Sequence, residues 1–168
     1  MKRITEYLTN DHDRLDRLLQ QSLTPSGEIN NEAYQQFRQG LLRHIGIEEK
    51  ILIPALKRNL DAEMQRTLDR IRLDHSAIVA LLVPPPSLAI VQALTAILTG
   101  HNELEEKNGG FYERADAYDE TAIEQIADKV KNAPEVKSLP NNPDPNVLEA
   151  TRRALERAGY DPKKYLSV

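Results

Sequence analysis

The 168-residue sequence contains no cysteine and no tryptophan. Without cysteine there are no disulfides, no zinc–thiolate sites and no thiol nucleophile. Aromatic residues are scarce, at 5% against 40% hydrophobic residues overall. The apolar content is therefore mainly Leu, Ile, Val and Ala, which suits helix-on-helix packing better than a β-sandwich. Long hydrophobic runs are lacking too. The longest, residues 77–83 and 88–98, are too short or too interrupted to span a bilayer, and the N-terminal MKRITEYLTNDHDRL has no apolar segment of the secretory type. Positive charge is not in excess: the net charge is −4, so nothing favours nucleic acid or an anionic membrane as partner. A Gly-rich phosphate cradle is also missing. These absences predict a cytoplasmic chain with one main domain and some length to spare.

What is present is helical periodicity. Leu8, Leu15, Leu18 and Leu19 form a stripe within residues 4–21, ended by Pro25, Ser26 and Gly27. A second pattern covers roughly 30–59 through Phe37, Leu41, Ile45, Ile51, Leu52 and Leu56, with Pro54 inside it as a point of kinking or shortening. A third runs over about 62–82 to Pro84-Pro85-Pro86. The fourth starts near Ser87, a suitable N-cap, and continues to Asn108-Gly109-Gly110. A weaker helix is expected at about 120–131. Four main helices joined by short loops predict an all-α, antiparallel up-down four-helix bundle over residues 1–132. From Pro134 onward the character changes: five of the ten prolines (Pro134, Pro140, Pro143, Pro145 and Pro162) fall there, around one short helical pattern at about 146–158. Residues 133–168 thus read as a Pro-rich extension with a short helix, which either wraps the bundle or docks a partner, or else is a partly ordered linker.

Two phrases repeat. Asp11-His12 followed by Leu15, Leu18 and Leu19 is echoed by Asp74-His75 followed by Ile78, Leu81 and Leu82; His44-Ile-Gly-Ile-Glu48-Glu49-Lys50 is echoed by His101-Asn-Glu-Leu-Glu105-Glu106-Lys107. This pattern uses all four histidines of the chain. Positions i and i+4 of a helix lie on one face, so His44 with Glu48, and His101 with Glu105, can reach one centre together. The same residues sit on the apolar face: His12 lies between Leu8 and Leu15, His75 between Ile71 and Ile78, and His101 follows Leu94, Ile97 and Leu98. Buried unpaired carboxylates cost several kcal/mol, of the order of 3–5 when a partner is lost. A pair of cations bound by His12, His44, Glu48, His75, His101 and Glu105 removes that cost. A lone histidine or a single His-x-x-x-Glu is weak evidence; agreement of four positions with the core stripe makes the metal site the expectation. Glu49 and Glu106 are rotated off the i+4 line and read as outer or solvent-facing groups. Asp11 and Asp74 read as surface or outer groups. Tyr7, Tyr34, Phe111 and Tyr112 are explained equally by packing or by covering a site mouth. Mixed imidazole and carboxylate donors suit iron or manganese better than structural zinc, and calcium or magnesium would want oxygen throughout.

These residues resemble the hemerythrin-type HHE cation-binding family, on His12, His44-x-x-x-Glu48-Glu49 with Leu52-Ile53-Pro54, His75, and His101-x-x-x-Glu105-Glu106, over about residues 1–132. The resemblance implies a four-helix bundle with a non-haem di-iron centre, four terminal histidines, Glu48 and Glu105 as bridges, and a bridging oxo or hydroxo group, with zinc or manganese as substitutes. It also implies a departure. Hemerythrins that carry dioxygen have a further histidine four residues before the one on the third helix, where this chain has Ile71. Each iron would then have about five donors and an open position. Three functions follow as alternatives. The first is binding of a small diatomic such as O2 or NO, or sensing of iron or redox state. The second is a di-iron enzyme acting on peroxide or nitric oxide, or donating iron for repair. The third is a metal-stabilised module whose C-terminal extension recruits a protein partner or a second copy. The lack of any nucleophile or acid–base pair outside the six residues favours binding over catalysis.

Overall fold

The computed structural model describes residues 4–57, 60–117 and 120–166, the last without the side chains of residues 120–122. The described residues are helical apart from turns, an isolated antiparallel bridge between Leu23 and Ile29, and an extended stretch after residue 132. The helices are α1 (Ile4–Gln21), α2 (Asn31–Ile47), a π-helical turn (Glu48–Leu52), α3 (Ile53–Leu56), α4 (Ala62–Leu81), α5 (Leu88–Glu106), α6 (Phe111–Asp116), α7 (Glu120–Lys131), α8 (Pro145–Arg157) and α9 (Pro162–Tyr165). None of them is long and apolar enough to cross a membrane.

Local chemistry sets the boundaries. Asn30, Asp61 and Ser87 cap α2, α4 and α5, their side-chain oxygens accepting from the N–H of Ala33, Met64 and Ile90. The second pattern is interrupted near Pro54, as its sequence suggests. Pro54 has no N–H to offer the carbonyl four residues back, and the helix widens just before it: the N–H of Ile53 reaches the carbonyl of Glu48, five residues behind. Arg58 and Asn59, the end of that pattern, lie outside the described residues. Two short helices, α6 and α9, were not apparent in the periodicity because each is about one turn or little more.

The core falls into two apolar clusters. One contains Leu15, Leu19, Phe37, Leu41, Ile78, Leu81, Leu94 and Ile97; the other contains Ile4, Leu8, Leu52, Ile53, Leu68, Ile71 and Phe111. The six residues singled out by the repeat lie between them, all buried. Each long helix therefore passes from one cluster, through this polar layer, into the other.

The segment beyond residue 132 is docked rather than free. Its extended part crosses α2, where Arg43 Nη2 donates to the carbonyl of Ala133 (3.0 Å) and the buried Arg38 donates to the carbonyls of Leu82 (2.8 Å) and Leu139 (2.5 Å). Asn142 N–H then bonds to Val83 (2.9 Å). Helix α8 packs along α4, with Thr151 Oγ1 donating to the carbonyl of Ala80 (3.0 Å). Leu155, Ala158 and Leu166 join the first apolar cluster. If this docking contributes to folding, Leu155→Ala, which truncates a side chain with 0% exposure, is expected to destabilise the whole chain by about 2–5 kcal/mol in urea unfolding. A loss below about 0.5 kcal/mol, the size of a surface change, would instead show that the extension is only loosely attached.

Candidate metal centre

Each long helix carries its histidine at mid-core, where period 3.6 turns the imidazole inward with the leucines and isoleucines around it. The structure brings the six residues into two overlapping groups: His12, His44, Glu48 and Glu105, and Glu48, His75, His101 and Glu105. Within each group the donor atoms all lie within 4.8 Å of one another. The Nε2 atoms of His12 and His44 are 2.9 Å apart. Glu48 Oε1 faces His44 Nε2 at 3.4 Å, while its Oε2 faces His75 Nε2 at 3.1 Å. Glu105 does the converse, with Oε2 3.4 Å from His12 Nε2 and Oε1 3.2 Å from His101 Nε2. Both carboxylates thus divide their two oxygens between the two groups. The histidines pair as His12 with His44 and His75 with His101, a pairing invisible in the sequence.

The outer nitrogen of every imidazole faces a carboxylate. His12 Nδ1 meets Glu106 (2.5 Å), His44 Nδ1 meets Asp11 (2.9 Å), His75 Nδ1 meets Glu49 (2.8 Å) and His101 Nδ1 faces Asp74 at 3.5 Å. The two repeated phrases therefore serve each other across the helices. The aspartate beside one histidine holds the histidine of the neighbouring helix, and the second glutamate of each His-x-x-x-Glu-Glu does the same. A carboxylate on Nδ1 fixes the proton there and leaves Nε2 as a free electron pair aimed inward, the arrangement that orients metal-bound histidines. Asp11 and Asp74 are in turn held by Arg14 (2.8 Å) and by Arg70 together with Tyr160 Oη (2.7 Å). Asp74 is buried, not a surface group; the sequence suggested its outer placement but not its partner.

Several buried atoms in this layer have no hydrogen-bond partner among the described residues: Glu48 Oε2, Glu105 Oε1, His75 Nε2 and His101 Nδ1. Three of these four are inward-facing atoms of the second group. Buried polar atoms are nearly always satisfied, so their convergence fits a cation better than it fits an apolar core. The donor set of imidazole and carboxylate suits such a cation. Without one, the charges redistribute. Burial pushes His44 down, but the charge of Glu48 and the hydrogen bond to Asp11 outweigh it and hold the imidazole up at about 10. His101 is likewise raised to about 10, burial being outweighed by Glu105 and Asp74. Glu48 is held well below the usual carboxylate range, because His44 and His75 outweigh its burial.

Tyr112 is the residue whose role the sequence left open. The turn Asn108-Gly109-Gly110 folds the chain back so that α6 lies over the centre. Gly109 has φ +72°, and a Cβ on Gly110 would come within 2.6 Å of the carbonyl oxygen of Lys107. Tyr112 Oη then donates to Glu48 Oε1 (2.5 Å), with Glu105 Oε2 also in reach (3.1 Å), and lies 3.1 and 3.2 Å from Nε2 of His12 and His44. Burial, with the charges of Glu105 and Glu48, raises its hydroxyl well above the ordinary phenol range. The cue in the sequence is the tight turn beginning three residues after Glu105, which sets Tyr112 seven residues beyond that glutamate.

Compared with protein-family models, residues 3–132 match the hemerythrin HHE cation binding domain. Comparisons with curated proteins and with solved structures return no match.

In the metal-free chain, His44 and His101 titrate near 10 when folded and near 6.5 when unfolded. Between those values the folded state binds more protons, so the stabilisation, complete below pH 6.5, is lost as pH rises through about 10. The urea midpoint of chelator-treated protein is expected to fall across that window, and a flat or rising midpoint would contradict the protonated imidazoles.

Proposed function

The chain belongs to the hemerythrin HHE cation-binding family, and on that premise we propose that it holds two non-haem iron ions in an antiparallel four-helix bundle and binds a small diatomic ligand such as O2 or NO there. In this reading His12 and His44 would hold one ion, His75 and His101 the other, and Glu48 and Glu105 would be shared by both. The observation that carries it is the sharing of both carboxylates by both histidine pairs. The alternation of the two apolar clusters along successive long helices supports the up-down topology. The metal-binding unit is residues 1–132 and 133–168 an extension, of which the described part, to residue 166, docks against the helices.

Iron in such a donor set supplies a redox-active, Lewis-acidic place for a diatomic molecule. The chain's own residues do the rest. Asp11, Glu49, Asp74 and Glu106 keep the Nε2 atoms turned inward, and the apolar clusters above and below keep bulk water from the carboxylates. Two clefts approach the layer. One of about 670 Å³ lies between α1 and α5 and reaches the ring of His12 past Leu15, Leu98 and Thr99. The other lies beside α4 and reaches His75 past Ile45, Leu73 and Val79. Both are wide enough for a diatomic molecule, and their walls mix apolar residues with charged ones such as Asp16 and Glu106 in the first and Asp69 and Arg72 in the second.

Protein loaded anaerobically with ferrous iron is expected to retain two irons per chain and to change its optical spectrum on addition of O2 or NO. Glu48→Ala and Glu105→Ala, each removing a group shared by both halves, are expected to retain fewer than two irons, while Glu63→Ala on the outer face of α4 retains both. Absence of stoichiometric iron in the unaltered chain, or loaded protein indifferent to both gases, would overturn the proposal.

A further inference from the structure

The polar layer is nearly symmetric, and Tyr112 breaks the symmetry. Its hydroxyl lies within 3.2 Å of all four members of the first group, and among the described residues it makes no hydrogen bond to His75 or His101 of the second. The ring is fully buried and packs 5.6 Å from that of Phe111, which lies in the same apolar cluster. Packing alone would be satisfied by a second phenylalanine, since a buried hydroxyl adds a desolvation cost that an apolar ring avoids. The backbone is fixed as well as the ring. Thr5 Oγ1 donates to the carbonyl of Tyr112 (3.1 Å), and the N–H of Ile4 bonds to Asp116 (3.1 Å), so α6 is tied to the start of α1. Among the described residues no tyrosine hydroxyl bonds to the second group in this way, and Ile71, one turn before His75, is apolar and fully buried.

We propose that Tyr112 is a seventh protein ligand of the centre, its oxygen joining His12, His44, Glu48 and Glu105 on one metal only. The inference rests on the two-metal reading above and deepens it. The first metal then has five protein donors and the second has four, so the exchangeable position that takes a small molecule belongs to the His75–His101 side, reached by the cleft beside α4. Forming the metal–oxygen bond breaks the phenol O–H bond, and the proton leaves to solvent; no electron is transferred.

The test uses the full chain loaded with ferric iron. The unaltered protein is expected to show a phenolate-to-iron charge-transfer band in the visible region and phenolate ring modes in resonance Raman spectra excited within it. Tyr112→Phe is expected to lose both while retaining two irons per chain, whereas Tyr34→Phe, which alters another fully buried tyrosine outside the centre, keeps them. Mössbauer spectra of the unaltered chain should resolve two unequal iron sites that become more alike in Tyr112→Phe. Two bound irons without phenolate modes in the unaltered chain would overturn this inference and leave the two-metal reading standing. Failure to bind iron at all would overturn both. The Raman result on the unaltered chain decides the matter even should Tyr112→Phe fail to fold.

Discussion

The structure depends on one constraint: two carboxylates and four imidazoles occupy a buried layer between two apolar clusters. Apolar burial drives the four long helices together, and nothing in that force specifies where along each helix the charged residues fall. Electrostatics does. A buried glutamate without a compensating cation is far more costly than any single leucine is stabilising, so Glu48 and Glu105 must meet the histidines at one height. That requirement fixes the register of the helices against one another, in the way a single polar layer fixes register in a coiled coil.

The outer carboxylates extend the same logic by one shell. Glu49 and Glu106 lie at the boundary of the core, partly in reach of water, while Asp11 and Asp74 are more deeply covered, and each faces one imidazole. They cost less to bury than Glu48 and Glu105, and they decide which face of each imidazole is available. The internal repeat thus does more than duplicate a set of inward-facing histidines and glutamates. Each half supplies the orienting groups for imidazoles on neighbouring helices, so neither half would be complete alone.

Much of this was legible in the amino-acid order. The stripe through Leu8, His12 and Leu15 and its echo through Ile71, His75 and Ile78 reveal the helix, its buried face and the inward histidine at once, because period 3.6 ties these properties together. Less was legible wherever partners are distant in sequence. That His12 belongs with His44 rather than His75 depends on which helices are neighbours. That Asp74 is buried depends on Tyr160, 86 residues away. Helix α6 shows no period because six residues are too few, and so the sequence leaves Tyr112 equally explained by packing or by covering a site mouth. The Pro54 signal was sound in kind but incomplete. It marks a disturbance without saying that the chain resolves it as one wide turn placed directly after Glu48.

Residues 133–166 lie beyond the matched domain, yet they are joined to its interior by a short chain of contacts. Tyr160 Oη donates to one oxygen of Asp74, Arg70 spans from that same carboxylate to the carbonyl of Ala158, and the other oxygen of Asp74 faces His101. The C-terminal segment therefore has the mechanical position of a latch. Lifting α8 away from α4 unmoors Asp74 and leaves one imidazole of the four less firmly aimed than the rest.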